Sequence, residues 1–207
     1  FGINPHIIAC RAEQPINEKV RQKISLYTNV PVQRVFSMHD LPSIYLLPDI
    51  MREGNIDTEV IDLLGLNDLV DADADARNAE AWNGYVAGLG SPTGKVSIGI
   101  TGKYTSLRDS YASIIKALEH AGVANGVDVH IEWIETTDIT ADTVVEALAS
   151  VDGIIVPGGF GVRGTTGKIE CIRYARENKL PYLGICLGFQ AAVIEYARNV
   201  CGLIGAG

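Results

Sequence analysis

The chain has 207 residues, of which 47% are hydrophobic, and it carries a formal net charge of −8 at pH 7. This composition predicts a globular protein with one large domain or two small ones, and the negative charge argues against electrostatic attraction to nucleic acid. No apolar run approaches the roughly 20 residues that span a membrane, and the first residues do not resemble a signal peptide, so the sequence predicts a cytoplasmic protein with no membrane contact.

Residues 1–65 alternate between strand and helix patterns. Short apolar runs predict strands that end at Arg11 and at Met38, and helical periodicity covers residues 15–26 and 44–51. Two strands are too few to close a core, so this segment is interpreted as part of an α/β domain. Arg11, Lys23 and Asp40 fall at or near the ends of these elements, where ligand-facing residues often lie. On pattern alone, a solvated surface charge is the simpler explanation of each.

Residues 66–94 lose the hydrophobic pattern, which predicts an interdomain linker. Aspartates alternate at its start, as they do in a calcium-binding loop: Asp71, Asp73 and Asp75. Such a loop requires glycine at its sixth position and glutamate at its twelfth, and Ala76 and Trp82 stand there instead, so this metal site is excluded. We expect Trp82 and Tyr85, the large aromatic residues of the segment, to pin it to one domain.

Residues 95–207 contain four βα units with helix-length connections, and helices are assigned in three of them. The predicted strands are 96–100, 127–134, 153–156 and 180–183, and the predicted helices are 110–120, capped by Asp109, 140–148 and 190–197. The near-continuous apolar run at 153–156 is typical of a strand that is buried on both faces. Together these patterns predict an α/β fold with a doubly wound parallel sheet, whose ligands bind at the carboxyl ends of the strands.

The sequence Gly184-Ile185-Cys186-Leu187-Gly188 lies between the last predicted strand and the last predicted helix. Its spacing is typical of a nucleophile elbow, in which flanking glycines avoid clashes in a sharp turn and leave the thiol exposed. The N–H of Leu187 would then point to where an oxyanion forms. The alternative is a buried structural cysteine between two packing glycines.

A second glycine-rich stretch, residues 157–164, directly follows the strand at 153–156. It lacks the spacing of a dinucleotide or P-loop fingerprint, so a phosphate cradle is weakly supported. An oxyanion hole fits better, because the N–H groups of Gly159 and Leu187 can together bind the oxygen of a tetrahedral intermediate. An ordinary tight turn is the alternative.

A cysteine nucleophile also needs a base, usually histidine, and a carboxylate that orients it. We expect none of the four histidines to act in this way: His6, His39, His120 and His130. The four cysteines contain no C-x-x-C pair, which argues against a zinc knuckle or a disulfide framework. The chain begins without methionine and ends in no obvious stop context. We therefore expect a fragment whose base and orienting group lie beyond Gly207.

Taken together, Pro157-Gly158-Gly159-Phe160-Gly161 and Gly184-Ile185-Cys186-Leu187-Gly188 resemble the class I (triad) glutamine amidotransferases, which hydrolyse glutamine to glutamate and ammonia. Further motifs are similar to the CTP synthase family: Gly102-Lys103-Tyr104, Gly161-Val162-Arg163-Gly164, Lys23-Ile24-Ser25-Leu26 and Asp40-Leu41-Pro42-Ser43-Ile44-Tyr45. Motifs on both sides of a linker are more specific than one elbow. The resemblance divides the chain into the end of a synthetase domain (1–65), a linker (66–94) and the N-terminal part of an amidotransferase domain (95–207).

The resemblance implies synthesis of CTP from UTP, ATP and glutamine, with Mg²⁺ held by residues outside this chain. It implies Cys186 as nucleophile, Gly159 and Leu187 as oxyanion donors, and a glutamine site formed by Gly159, Leu187, Gly188, Phe189 and Gln190. It further implies that Lys23 contacts UTP or CTP, and that Arg11, His39, Asp40 and Leu41 border the ATP site. A homotetramer and activation by GTP, with Lys103 and Arg163 contributing, are also implied.

Two departures from the family pattern preserve the chemistry. Phe189 replaces a common methionine, and Tyr27-Thr28 replaces a more usual Phe-Cys pair. Without the rest of both domains, the chain alone is expected neither to make CTP nor to turn over glutamine efficiently. The alternatives are another triad amidotransferase, a γ-glutamyl hydrolase, or a non-catalytic nucleotide-binding module.

Overall fold

The computed structural model describes residues 2, 4–102, 108–159 and 164–207 of the chain. The chain divides into two units, Phe1–Val86 and Ala87–Gly207. Both units combine helices with parallel strands, so the predicted α/β class is confirmed. The division falls within the segment that the sequence predicts as a linker.

The first unit contains a pair of parallel strands, β1 (Ile8–Ala12) and β2 (Val35–His39), in which Ile8 is opposite Val35. They are joined by helix α1 (Glu18–Thr28), which begins where the side chain of Asn17 accepts a hydrogen bond from the N–H of Val20. These three elements agree with the sequence prediction. Two further helices follow them: α2 (Leu47–Glu53) and α3 (Ile56–Leu64).

The predicted linker contains an 18-residue helix, α4 (Ala72–Leu89). The sequence pattern gave no sign of it because alanine and glutamate favour a helix without producing an apolar stripe. The indole N–H of Trp82 donates to the carbonyl of Tyr45 at 3.0 Å, and the rings of Tyr45, Trp82 and Tyr85 lie 5.2 to 6.0 Å apart. The expectation that these aromatics pin the segment to one domain is therefore confirmed, and the domain is the first.

The second unit is built on a four-stranded parallel sheet. Its strands are β3 (Gly94–Gly102), β4 (Val127–Glu135), β5 (Gly153–Val156) and β6 (Tyr182–Gly184), in the spatial order β4-β3-β5-β6. The helices of this unit are α5 (Ala112–Asn125), α6 (Val144–Ala147), α7 (Thr165–Asn178) and α8 (Leu187–Asn199). Because the connection from β4 to β5 passes β3, the strand order reverses there, as the predicted doubly wound topology requires.

Two predicted helices differ from the observed ones. The helix predicted to start at residue 110 with Asp109 as its cap begins at Ala112, and no side-chain hydrogen bond caps it. The helix predicted over 140–148 is reduced to α6. There the N–H of Thr140 donates to the hydroxyl of Thr143 at 2.9 Å, which holds a turn where the prediction placed helix.

The core of the second unit lies around β5, whose four residues are all buried. Ile154 and Val156 pack with apolar residues of α7 and α8, including Ile169, Cys171, Ile172, Ala175 and Ala191. This packing fixes the first turns of α7 and α8 against the carboxyl end of β5, where the glycine-rich stretches lie. None of the helices in the described parts of the chain is long and apolar enough to cross a bilayer.

Candidate active site

Cys186 occupies the sharp turn between β6 and α8. Its side chain is exposed, and its backbone has φ 53° and ψ −108°. A residue other than glycine with positive φ costs roughly 1–3 kcal/mol, and such strain is concentrated at functional sites. The sulfur is therefore held at the surface by a strained backbone, which is the geometry of the predicted elbow.

The two glycines that flank Cys186 have no room for a side chain. A Cβ at Gly184 would lie 2.3 Å from the hydroxyl of Tyr182 and 2.7 Å from the backbone nitrogen of Phe189. A Cβ at Gly188 would lie 1.9 Å from the carbonyl oxygen of Val156. The prediction that both glycines prevent clashes in the turn is confirmed.

Hydrogen bonds fix the turn to the neighbouring strand. The N–H of Ile185 donates to the carbonyl of Val156 at 2.9 Å, and the N–H of Gly188 donates to the carbonyl of Ile185 at 2.9 Å. The Tyr182 hydroxyl donates to the carbonyl of Gly188 at 2.6 Å. Burial raises the pKa of Tyr182 to about 12.

The turn that follows β5 lies beside Cys186. A Cβ at Gly158 would lie 3.4 Å from the Cβ of Cys186 and 3.8 Å from its sulfur, and a Cβ at Gly159 would lie 3.9 Å from Leu187 Cδ2. The two glycine-rich stretches therefore meet at the carboxyl edge of the sheet. Residues 160–163 of the second stretch lie outside the described residues.

The remaining residues assigned to the glutamine site form the first turn of α8. Gly188 is buried, Leu187 is half-buried, and Phe189 and Gln190 are exposed. Among the described residues, no backbone carbonyl accepts the N–H of Leu187, as expected for the first residue of a helix. Within the described parts of the chain this N–H therefore has no backbone acceptor, and Leu187 is the residue predicted as an oxyanion donor.

Two residues of this region were not selected from the sequence, Gly158 and Lys168. Gly158 is distant from Cys186 in the sequence, but a Cβ at Gly158 would lie 3.8 Å from the Cys186 sulfur. Lys168 lies on α7, is only 3% exposed, and donates from Nζ to the carbonyl of Pro157 at 3.4 Å. A signal for Lys168 exists in the sequence, because it precedes the buried residues of α7 at helical spacing: Cys171, Ile172 and Ala175.

The two histidines of the second unit lie on the far side of its sheet. His130 is on β4, which forms the edge opposite β6, so three strand spacings of about 4.8 Å separate the two strands. Its Nε2 lies 3.2 Å from Glu132 Oε1. His120 is on α5, which packs against β4. Neither histidine is near Cys186.

In the first unit, the four residues assigned to an ATP site line one pocket of about 200 Å³. They are Arg11, His39, Asp40 and Leu41. The pairing of β1 with β2 explains this grouping, because Ala12 is opposite His39 at the carboxyl ends of both strands. Arg11 and Asp40 form an ion pair that is largely exposed. Lys23 is exposed on α1 and does not line this pocket.

The two residues assigned to GTP activation, Lys103 and Arg163, lie outside the described residues. Within the described parts of the chain, no group of three or more His, Cys, Asp or Glu side chains is arranged to hold a metal ion.

Two family models match the chain. The CTP synthase N-terminus model matches residues 1–66, and the glutamine amidotransferase class-I model matches residues 106–205. A solved structure of the Trypanosoma brucei CTPS glutaminase domain with bound acivicin is 42% identical, with a TM-score of 0.49, over 52% of this chain and 42% of that one.

Curated relatives match over the full length of the chain. CTP synthase of Clostridium acetobutylicum is 47% identical over 206 residues, which is 100% of this chain and 37% of the relative. The CTP synthases of Clostridium perfringens and Maridesulfovibrio salexigens are 46% and 47% identical over the same shares. The chain thus spans little more than a third of the length of these relatives. The two domain matches and the full-length similarity place this chain in the CTP synthase family, with residues 1–66 matching its N-terminus and residues 106–205 matching the class-I glutamine amidotransferase domain.

Proposed function

We propose that this chain belongs to an enzyme that makes CTP from UTP, ATP and glutamine, and that Cys186 releases the ammonia. The single observation that carries the proposal is the exposed thiol of Cys186, held on a strained backbone beside Gly158. A structural cysteine needs neither exposure nor positive φ. Cys171, which is fully buried in the same unit, shows the contrast.

In the proposed reaction, the Cys186 thiolate attacks the side-chain amide carbon of glutamine. A C–S bond forms, and the carbonyl electron pair moves to oxygen to give a tetrahedral oxyanion. Collapse of this intermediate breaks the C–N bond, and the nitrogen leaves as ammonia with the proton that the thiol gave up. Water then attacks the thioester, the C–S bond breaks, and glutamate leaves with the thiol restored.

The surroundings of Cys186 support both charged species in this sequence. Cys186 stands directly before the first turn of α8, at the positive end of the helix dipole. The N–H groups of Leu187 and Gly159 would donate to the oxyanion, and one such donor contributes about 10²–10³-fold to kcat. Phe189 and Gln190, on the same turn of α8, would contact the glutamine substrate.

The first unit would contribute to the synthetase reaction. Arg11, His39, Asp40 and Leu41 would border ATP, and the exposed ammonium of Lys23 would contact UTP or inhibitory CTP. ATP would phosphorylate O4 of UTP, and ammonia would displace this phosphate to give CTP. Magnesium, held by residues outside this chain, would assist phosphoryl transfer in the whole enzyme. A homotetramer activated by GTP completes the proposal.

The test uses the full-length protein that contains this chain. Cys186→Ala should abolish CTP formation from glutamine and leave CTP formation from added ammonium salt intact, because only the ammonia source is removed. Cys201→Ala is the matched control, since Cys201 is another exposed cysteine of the same unit. Glutamine-dependent synthesis that survives Cys186→Ala would contradict the proposed nucleophile, and ATP hydrolysis that does not depend on UTP would contradict the CTP synthase reaction.

Alkylation gives a second test. A glutamine-mimicking electrophile should modify Cys186 before Cys201, and Cys171 should stay unmodified because burial raises its pKa to about 12. Peptide mass spectrometry would identify the modified residue. Because neither histidine of the second unit lies near Cys186, the 207-residue chain alone should be alkylated and yet release ammonia poorly. Equal modification of Cys186 and Cys201 would count against an activated thiol.

A further inference from the structure

Lys168 is a charged residue inside the core of the second unit. It lies in the first turn of α7 and is 3% exposed. Lysine is almost never buried unless its ammonium group is paired, because removing the charge from water is costly. Here Nζ donates to the carbonyl of Pro157 at 3.4 Å, at the start of the turn that passes Cys186.

The same ammonium group lies next to the second glycine of this turn. A Cβ at Gly159 would lie 3.8 Å from Lys168 Nζ and 3.9 Å from Leu187 Cδ2. Gly159 is therefore close to both the ammonium of Lys168 and the side chain of Leu187.

A hydrogen bond to the Pro157 carbonyl also determines where the next N–H points. The peptide between Pro157 and Gly158 is trans and planar, so its C=O and N–H point in opposite directions. An anchor on the carbonyl thus fixes the plane of this peptide and the direction of the Gly158 N–H. Two glycines in succession would otherwise leave the turn free to rotate.

We propose that Lys168 is a positioning residue, which holds the turn at residues 157–159 so that its backbone N–H groups face the oxyanion formed at Cys186. This inference rests on the proposed glutaminase function. Lys168 acts through the turn and does not touch glutamine. It should therefore affect the steps in which negative charge develops on the amide oxygen.

The experiment compares two reactions of Cys186 in the full-length protein. Glutamine hydrolysis forms an oxyanion, whereas alkylation by iodoacetamide is a direct displacement that needs the thiolate but no oxyanion donor. Lys168→Met keeps the apolar stem and removes the ammonium group, and Lys168→Arg restores a cationic donor. Lys95→Met is the matched control, because Lys95 is an exposed lysine of the same unit.

We expect Lys168→Met to lower kcat for glutamine about tenfold or more, with KM and the iodoacetamide rate at Cys186 within about twofold of the parent protein. Lys168→Arg should recover part of kcat, and Lys95→Met should match the parent. An unchanged kcat in Lys168→Met, or an alkylation rate that falls in proportion to kcat, would overturn the role of Lys168. If Lys168→Met fails to fold, Lys168→Arg decides the role of Lys168. Relative to the parent protein, its kcat for glutamine must then fall by a larger factor than its iodoacetamide rate at Cys186. A parent protein that releases no ammonia would refute the glutaminase function itself.

Discussion

Substitution of Gly188 by alanine tests the close contact between α8 and β5 that holds the elbow. A Cβ at position 188 would lie 1.9 Å from the carbonyl oxygen of Val156, whereas ordinary contact begins at 3.4 Å. One of the two backbone segments must therefore move by about 1.5 Å, the difference between these distances. Val156 is fully buried and its carbonyl already accepts the N–H of Ile185. Overpacking costs 1–3 kcal/mol, and a clash with backbone belongs at the upper end, so we expect a loss of about 3 kcal/mol.

Urea unfolding measures this loss. The chain has two tryptophans, so a Trp82→Phe background leaves Trp133 of β4 as a fluorescent probe of the second unit. Gly205→Ala is the control, because a Cβ there would have no atom within 4 Å. It should change the free energy of unfolding by less than about 0.5 kcal/mol. A loss below about 1 kcal/mol for Gly188→Ala, with an unchanged alkylation rate at Cys186, would refute the geometry of the elbow.

Three further predictions concern residues around the same core. Tyr182→Phe removes the hydrogen bond to the Gly188 carbonyl and should lower the free energy of unfolding by about 1 kcal/mol in urea titrations; no change would show that this bond is dispensable. Arg176→Ala leaves the carboxylate of Glu195, which is 1% exposed, without its bidentate partner. Because Arg176 is itself partly exposed, Arg176→Ala should lower the free energy of unfolding by about 2 kcal/mol. The double variant Arg176→Ala/Glu195→Gln should lose less, because it leaves no unpaired buried carboxylate. Burial raises the pKa of Cys171 from 9.0 to about 12. Between these two pH values the Cys171 thiol keeps its proton in the folded chain and has lost it in the unfolded chain. Stability should therefore fall as the pH rises above about 9, and Cys171→Ala should flatten this fall between titrations at about pH 8 and about pH 11.

Elements with a strong hydrophobic signal were predictable from the sequence. The bounds of β5 agree with the prediction residue for residue, because a short apolar run followed by proline and glycine admits few other structures. The helix α4 was missed for the opposite reason. Its surface is mostly polar, and what holds it is tertiary: Trp82 donates to the Tyr45 carbonyl, and Asp75 pairs with Arg52 at 3.1 Å. Such contacts cannot be read from periodicity.

The candidate site was predictable where backbone geometry dictates the residue type. Glycine at positions 184 and 188 is required by contacts below 3 Å, and that requirement is visible in the spacing around Cys186. Lys168 was not predictable in its role, since a lysine in a helix usually lies on the solvated face. Its spacing to Cys171, Ile172 and Ala175 indicates the buried face of α7, but only the packing of α7 reveals the contact of its ammonium group with the Pro157 carbonyl.

The backbone conformation of Cys186 lowers the stability of the fold in order to expose a reactive thiol. Glycine adopts a φ of 53° without penalty, so Cys186→Gly should relieve about 1 kcal/mol that Cys186→Ala would retain. The most stable residue at this position is therefore glycine, which has no nucleophile. Selection for stability alone would replace Cys186 by glycine, so retention of the thiol indicates selection for its chemistry.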